Sequence, residues 1–175
     1  MSIGKGIAIV GMLLSLSVVN WEIYQKEQVL AQGQTVFLKL APVDPRSLMQ
    51  GDYMALRFEM ADQIATSLQT EFDDAAPNNR KTRDGYAVVS LDDKNIGKFS
   101  RLHDERALVS GEVLMRFRQR NGDIKFATNA FFFQEGHGAR FEAAEYGKFA
   151  VAENGEILLV GLHNGNLQAL ATIPD

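Results

Sequence analysis

Arg116-Phe117-Arg118-Gln119-Arg120-Asn121-Gly122-Asp123-Ile124-Lys125-Phe126 is the stretch whose reading decides the fold class. Asn-Gly between two runs of alternating side chains signals a hairpin, because a two-residue type I′ turn needs positive φ at both central positions. With Asn121-Gly122 as that turn, Phe117 faces Phe126, Arg118 faces Lys125, and Arg116, Arg118 and Arg120 share one face of a strand. The dipeptide recurs at Asn154-Gly155 and Asn164-Gly165. Those two turns predict a three-stranded meander over residues 147–173, with Leu162 opposite Leu167.

Working outward, Thr35 to Ala41 and Asp52 to Met60 read as strands. In the second, Met54, Leu56, Phe58 and Met60 share a face, while Tyr53, Ala55, Arg57 and Glu59 share the other. Tyr86 to Leu91 and Ile96 to Leu102 form a further pair turning near Asp92-Asp93-Lys94-Asn95. Asp62 to Phe72 fits a helix capped by Asp62 with Ile64, Leu68 and Phe72 on one face. Ala139 to Tyr146 fits a second, short helix, and Asp73 to Gly85 a polar loop. The expected fold is mainly β, as antiparallel sheets or a small open barrel with one or two short helices, preceded by an N-terminal transmembrane helix.

Gly6 to Trp21 carries no charge, with Lys5 before it and Glu22 after it. The run falls slightly short of the ~20 residues of a typical span, but Lys5 can snorkel, and Trp21 and Tyr24 suit the far interface. A cleaved signal peptide and a buried core helix are the competing readings. Val29-Leu30-Ala31 lies too far from the apolar run to serve the first, and apolarity around all faces weakens the second. The segment is therefore read as a single-pass signal anchor in the cytoplasmic (inner) membrane. Lys5 favours an inside N-terminus, which Lys26 dilutes, and puts the C-terminal domain outside the cytoplasm. Trp21 to Gln32 continues as a helical stalk stopped at Gly33. Residues 1–32 are thus anchor and stalk, and residues 33–175 one β-rich domain.

Net charge is −4, and there is no cysteine among the 175 residues. The first argues against a general nucleic-acid binder, which needs a basic footprint for phosphates. The second excludes disulfides, thiolate nucleophiles and cysteine-ligated metals.

The first strand is followed by a block that runs into the second, Pro42-Val43-Asp44-Pro45-Arg46-Ser47-Leu48-Met49-Gln50-Gly51-Asp52-Tyr53-Met54-Ala55-Leu56-Arg57-Phe58. Asp44 suits an N-cap, Pro45 the first helical position, and Gly51 the left-handed residue that ends a turn. Asp52 can bond backbone amides in the same corner, with Leu48 or Met49 plugging the core. Read instead as a contact surface, Arg46, Asp52, Tyr53 and Arg57 form an exposed corner, with the Arg57 guanidinium over the Tyr53 ring.

This block resembles the signature of the GDYXXLXY family, membrane-anchored proteins of unknown function. The likeness is closest from Val36 to Phe58 and looser from Phe131-Phe132-Phe133-Gln134-Glu135-Gly136 through Glu142 to Leu162. It makes Asp44, Pro45, Gly51, Asp52, Leu56 and Phe58 the signature positions. Phe58 stands where the family's name has tyrosine, which favours aromatic packing over acid–base chemistry there. The resemblance implies a small extracytoplasmic domain, of a kind often encoded beside multi-spanning membrane proteins, and brings no catalytic residues.

Few residues suggest chemistry. His103, His137 and His163 fall at turns or strand ends with no partner at metal-ligand spacing, and are read as surface or capping histidines. No metal and no cofactor is expected. A serine–lysine hydrolase of signal-peptidase type is a distant analogy, with Val43 near the expected nucleophile and Ser47 inside the capped turn. A small-ligand sensor would use a barrel mouth lined by Phe131 and Phe133. The leading expectation is a non-enzymatic interaction module, anchored through residues 6–21 and docking on a multi-spanning membrane protein. Arg46, Tyr53, Arg57, Arg116, Arg118, Arg120 and Lys125 are its contact candidates. The basic side chains stand either for an anionic partner or for a solvated, charge-protected edge strand.

Overall fold

In the computed structural model, which describes residues 3–41, 49–50, 53–71, 82–128 and 130–172, the first Asn-Gly turn forms as its sequence dictates. Asn121 and Gly122 take φ of 54° and 93°, and Arg118 pairs with Lys125 across the hairpin. The described elements are α1 (Ile3–Gln32), β1 (Gln34–Lys39), β2 (Met49–Gln50), β3 (Tyr53–Ala55), α2 (Glu59–Glu71), β4 (Thr82–Leu91), β5 (Gly97–Leu102), β6 (Glu112–Arg120), β7 (Asp123–Lys125) and β8 (Ala130–Phe132). A 3-10 turn (Gly138–Phe141), β9 (Tyr146–Val151), β10 (Ile157–His163) and β11 (Ala169–Thr172) complete the order.

The fold is mainly β, as expected. One antiparallel sheet runs β1-β9-β10-β11, a second runs β5-β4-β6-β7, and β2-β3-β8 make a smaller third. The two larger sheets meet at their β1 and β5 edges, where Phe37 bridges Ile96 in parallel and its amide donates to the Asn95 carbonyl at 2.9 Å. They meet again where Arg116 of β6 donates its amide to the Gly155 carbonyl at 2.8 Å, in the β9–β10 turn. Helix α2 packs on β1, β5 and β7, burying Ile64 and Leu68. Phe58 is buried at the centre. Its ring stands edge-on to Phe126, just past β7, at 5.9 Å, and to Phe149 of β9 at 5.3 Å. One aromatic cluster therefore ties the two sheets together.

Helix α1 is long and apolar enough to cross a membrane, with a mean hydropathy of 1.7 and its apolar window wholly uncovered by the domain. Its C-terminal end docks on β9 and β10. Val29 is buried there, Gly33 donates its amide to the Val29 carbonyl at 2.9 Å, and Lys26 forms an ion pair with Glu156. A Cβ on Gly33 would lie 2.3 Å from the Val29 carbonyl oxygen and 3.1 Å from the Val151 nitrogen, so the hand-over from helix to sheet needs glycine.

Several local expectations are corrected. The strand expected to reach Met60 ends at Ala55; after an isolated bridge between Leu40 and Phe58, α2 begins at Glu59. Glu59, Met60 and Ala61 are good helix formers, and Ala61 already donates to the Phe58 carbonyl at 3.0 Å. Asp62 therefore lies inside the first helical turn and is not its cap. The strand expected from Tyr86 starts at Thr82, so the polar loop is shorter at its end. The helix expected from Ala139 to Tyr146 is only the 3-10 turn, and Tyr146 opens β9. Leu162 pairs with Ala171 and not with Leu167. The Asn164 side chain accepts from the amides of Asn166 and Gln168, both at 3.0 Å, which widens that loop beyond two residues. Asn154-Gly155 likewise makes a three-residue loop, with Gly155 at φ 82° after Gly155 donates to the Ala152 carbonyl. Asp44, Pro45, Arg46, Ser47, Leu48, Gly51, Asp52 and Phe72 lie outside the described residues.

Replacing Phe58 by alanine removes the ring that both sheets share. The expected loss is about 3–5 kcal/mol, and a thermal midpoint lower by roughly 6–20 °C for a chain of this size. A melting curve within a couple of degrees of the parent would contradict the central position given to this ring.

Candidate functional site

The Asn121-Gly122 hairpin positions the basic side chains. Residues alternate across β6, so Arg116, Arg118 and Arg120 project from its polar face while Met115 and Phe117 fill the core. Asp84 of β4, opposite Arg118 in register, takes Arg120 at 2.7 Å and Arg116 at 3.0 Å. Those two guanidiniums, Arg120 foremost, hold its carboxyl below the usual carboxylate range. Arg120 also faces Asp123 across the hairpin. Arg118 donates to the Ala127 carbonyl at 2.9 Å and faces Lys125. Among the described residues neither Arg118 nor Lys125 has an acidic partner. Like charges directly opposed across a strand pair are unfavourable, so Arg118 and Lys125 add no stability as a pair, while on its other side Arg118 stands opposite Asp84.

The stripe is also not an edge. β6 lies between β4 and β7, and β7 is only three residues long. Past it, the free side of β6 is met by the β9–β10 turn at Arg116. The split between that turn and β7 opens a groove of about 420 Å³. Arg116, Arg118, Lys125 and Lys26 line it with Glu156, over the β10 stretch 157–159, from which Leu158 is the half-buried side chain. Lys26 and Glu156 escape sequence reasoning because nothing local marks them; they join the site only when the end of α1 docks on β10.

A second surface lies on the small sheet. Tyr53 of β3 pairs with Phe132 of β8, their rings 5.8 Å apart, and Phe132 is 74% exposed. Arg57, expected to share a strand face with Tyr53, lies beyond the end of β3 and binds Asp62 at 2.7 Å. That pairing, by hydrogen bond first and charge second, raises the Arg57 pKa further. Alternation along β8 turns Phe131 inward, where it and Phe133 close on Phe141 at 5.3 and 5.0 Å. The aromatics expected to line a barrel mouth thus pack on one another. Ser100 donates to Glu112 at 3.4 Å, and no group of three or more His, Asp or Glu suited to a metal occurs among the described residues.

Phe58 is buried in the core, Leu56 packs half-buried against it, and Tyr53 is half-buried on β3, so the described part of the signature is built into the fold. A family model for GDYXXLXY protein matches residues 15–162. The chain belongs to the GDYXXLXY family. No curated protein and no solved structure matches. The family pattern runs from Gly51 through Tyr53 and Leu56 to the eighth position, held here by Phe58, whose ring contacts account for an aromatic there without any hydroxyl.

His163 corrects the surface reading of the histidines. It is buried, its ring edge-on to Phe37 at 5.2 Å, and its Nδ1 meets no partner among the described residues. Burial first, and Lys148 second, push its pKa down. An unfolded histidine binds a proton below about 6.5, whereas the folded one resists it. Stability is therefore full above that pH and declines as pH falls through the window below it. The thermal midpoint is expected to drop between pH 7.5 and 5.5 in the parent and to drop less in His163→Phe. Equal slopes for the two proteins would show that this imidazole does not carry the dependence.

Proposed function

We propose that the chain is a single-pass membrane protein whose β domain, outside the cytoplasm, acts as a non-catalytic docking module for a neighbouring multi-spanning membrane protein. The observation that carries this reading is α1 itself: an uncovered apolar helix whose far end is bound into the sheet by Val29, Gly33 and the Lys26–Glu156 pair. A helix apolar on all sides needs a non-aqueous surrounding, and a lipid bilayer supplies it. Lys5 favours the orientation with the N-terminus inside. The rigid hand-over gives the domain one attitude towards the bilayer, which suits a surface that meets a partner lying in the same membrane.

The Tyr53–Phe132 pair is the surface we assign to that partner. Aromatic side chains anchor protein interfaces because they bury large area at small entropic cost, and an exposed phenylalanine beside a tyrosine is such an anchor in waiting. Arg57 and its partner Asp62, both well exposed, supply a charged rim beyond it. The test is in-membrane crosslinking of the tagged full-length chain. A multi-spanning protein is expected to be recovered with the parent and lost with Tyr53→Ala/Phe132→Ala, whose melting curve checks folding. Recovery of the same proteins with parent and variant, or of lipid and abundant bystanders alone, would overturn the assignment.

A further inference from the structure

We infer that the groove between β7 and β10 binds the phosphate of an anionic lipid in the leaflet that receives the end of α1. The inference rests on the membrane reading above but uses a different surface and a different ligand. Its first support is electrostatic. Arg116 is matched by Asp84 and Lys26 by Glu156, while among the described residues Arg118 and Lys125 face one another and neither forms an ion pair. Two neighbouring cations at an open groove supply what a phosphate takes: a guanidinium fork and an ammonium point charge from adjacent strands. An anion between them converts an unfavourable pair into a bridged one.

Position chooses the source of the phosphate. Lys26 follows Trp21 by five residues on one helix, a rise of about 7.5 Å. With Trp21 at the interface, Lys26 and the groove it lines sit at the depth of the headgroups, a layer some 5–8 Å thick on each side of the hydrocarbon. The docking of α1 on β9 and β10 prevents the domain from swinging the groove away. The groove is also two-sided: Arg118 and Lys125 on one wall, and on the other the β10 stretch 157–159, where Leu158 is the half-buried side chain between the buried Ile157 and Leu159. That combination fits an amphiphile, whose glycerol lies against Leu158, better than a free inorganic anion. Its volume of about 420 Å³ falls in the range of small-molecule sites, ~300–1,000 Å³.

Trp21 is the one tryptophan of the chain and reports the experiment. The full-length protein is placed in phosphatidylcholine nanodiscs doped with a small fraction of either brominated phosphatidylglycerol or brominated phosphatidylcholine, and Trp21 quenching is compared. The parent is expected to be quenched more by the anionic lipid, with an apparent preference of about tenfold or more from two unmatched cations near the surface. In Arg118→Gln/Lys125→Gln, which removes an unfavourable pair and keeps the fold, the preference is expected to fall to that of a zwitterionic lipid. Equal quenching by both lipids in the parent, or a preference that survives in the variant, overturns the site. Loss of the preference on adding millimolar inorganic phosphate at constant ionic strength makes the ligand a soluble anion and overturns the lipid assignment. Absence of quenching by either lipid would mean that α1 does not lie in the bilayer, so that the membrane reading itself fails.

Discussion

Gly33 hands the chain from α1 to β1 in a single residue, its amide on the Val29 carbonyl and its Cα against the backbone of Val151 and the methyl of Ala150. Nothing larger than hydrogen fits at that Cα without displacing backbone. Because β1 starts at once, pairing Gln34 with Val151, the helix axis and the first sheet share one rigid frame. Val29 buried beneath the helix end and the Lys26–Glu156 pair at its flank oppose rotation about that join. A flexible tether would let the domain take any attitude towards a bilayer. This join permits one, and both proposed surfaces depend on it.

From that frame the rest of the architecture follows by aromatic packing. Phe58 connects the sheet carrying the helix to the sheet carrying the basic hairpin, through Phe149 on one side and Phe126 on the other. Gly147 lies beside its ring, where a Cβ would come within 2.9 Å. The end of the family signature thus sets where β6 and β7 stand relative to α1. Tyr53, the first of its described positions, sets the exposed pair with Phe132 on the small sheet. A signature without acid–base chemistry in its described part can still be functional, if its task is to fix one surface by packing and to offer another.

How much of this was legible in the sequence depends on how local each determinant is. The Asn121-Gly122 register was readable because two residues with positive φ dictate it, and the long apolar stretch of α1 because apolarity is a property of composition. Asn164-Gly165 misled because the Asn164 side chain captured two downstream amides, a contact that dipeptide statistics do not carry. The switch from strand to helix after Ala55 was hidden by a period-two pattern that persists through Met60: the same alternation of burial is met first by β3, then by the bridge at Phe58, then by the helix. His163 read as a strand-end residue and is one, but burial came from Phe37 on a strand more than a hundred residues earlier. Arg118 and Lys125 could be named as opposed from the turn alone. That Lys26 joins them required the fold.

The most direct test of the account is native-state amide exchange of the full-length chain in nanodiscs, read at Gly33 against the amides of β9. A rigid join predicts that the Gly33 amide is protected to the level of Phe149 and Val151, because both open only when the sheet does. Exchange at Gly33 near the rate of an unstructured peptide, with β9 still protected, would mean a swinging tether, and would contradict the fixed attitude on which the docking face and the lipid groove both rely.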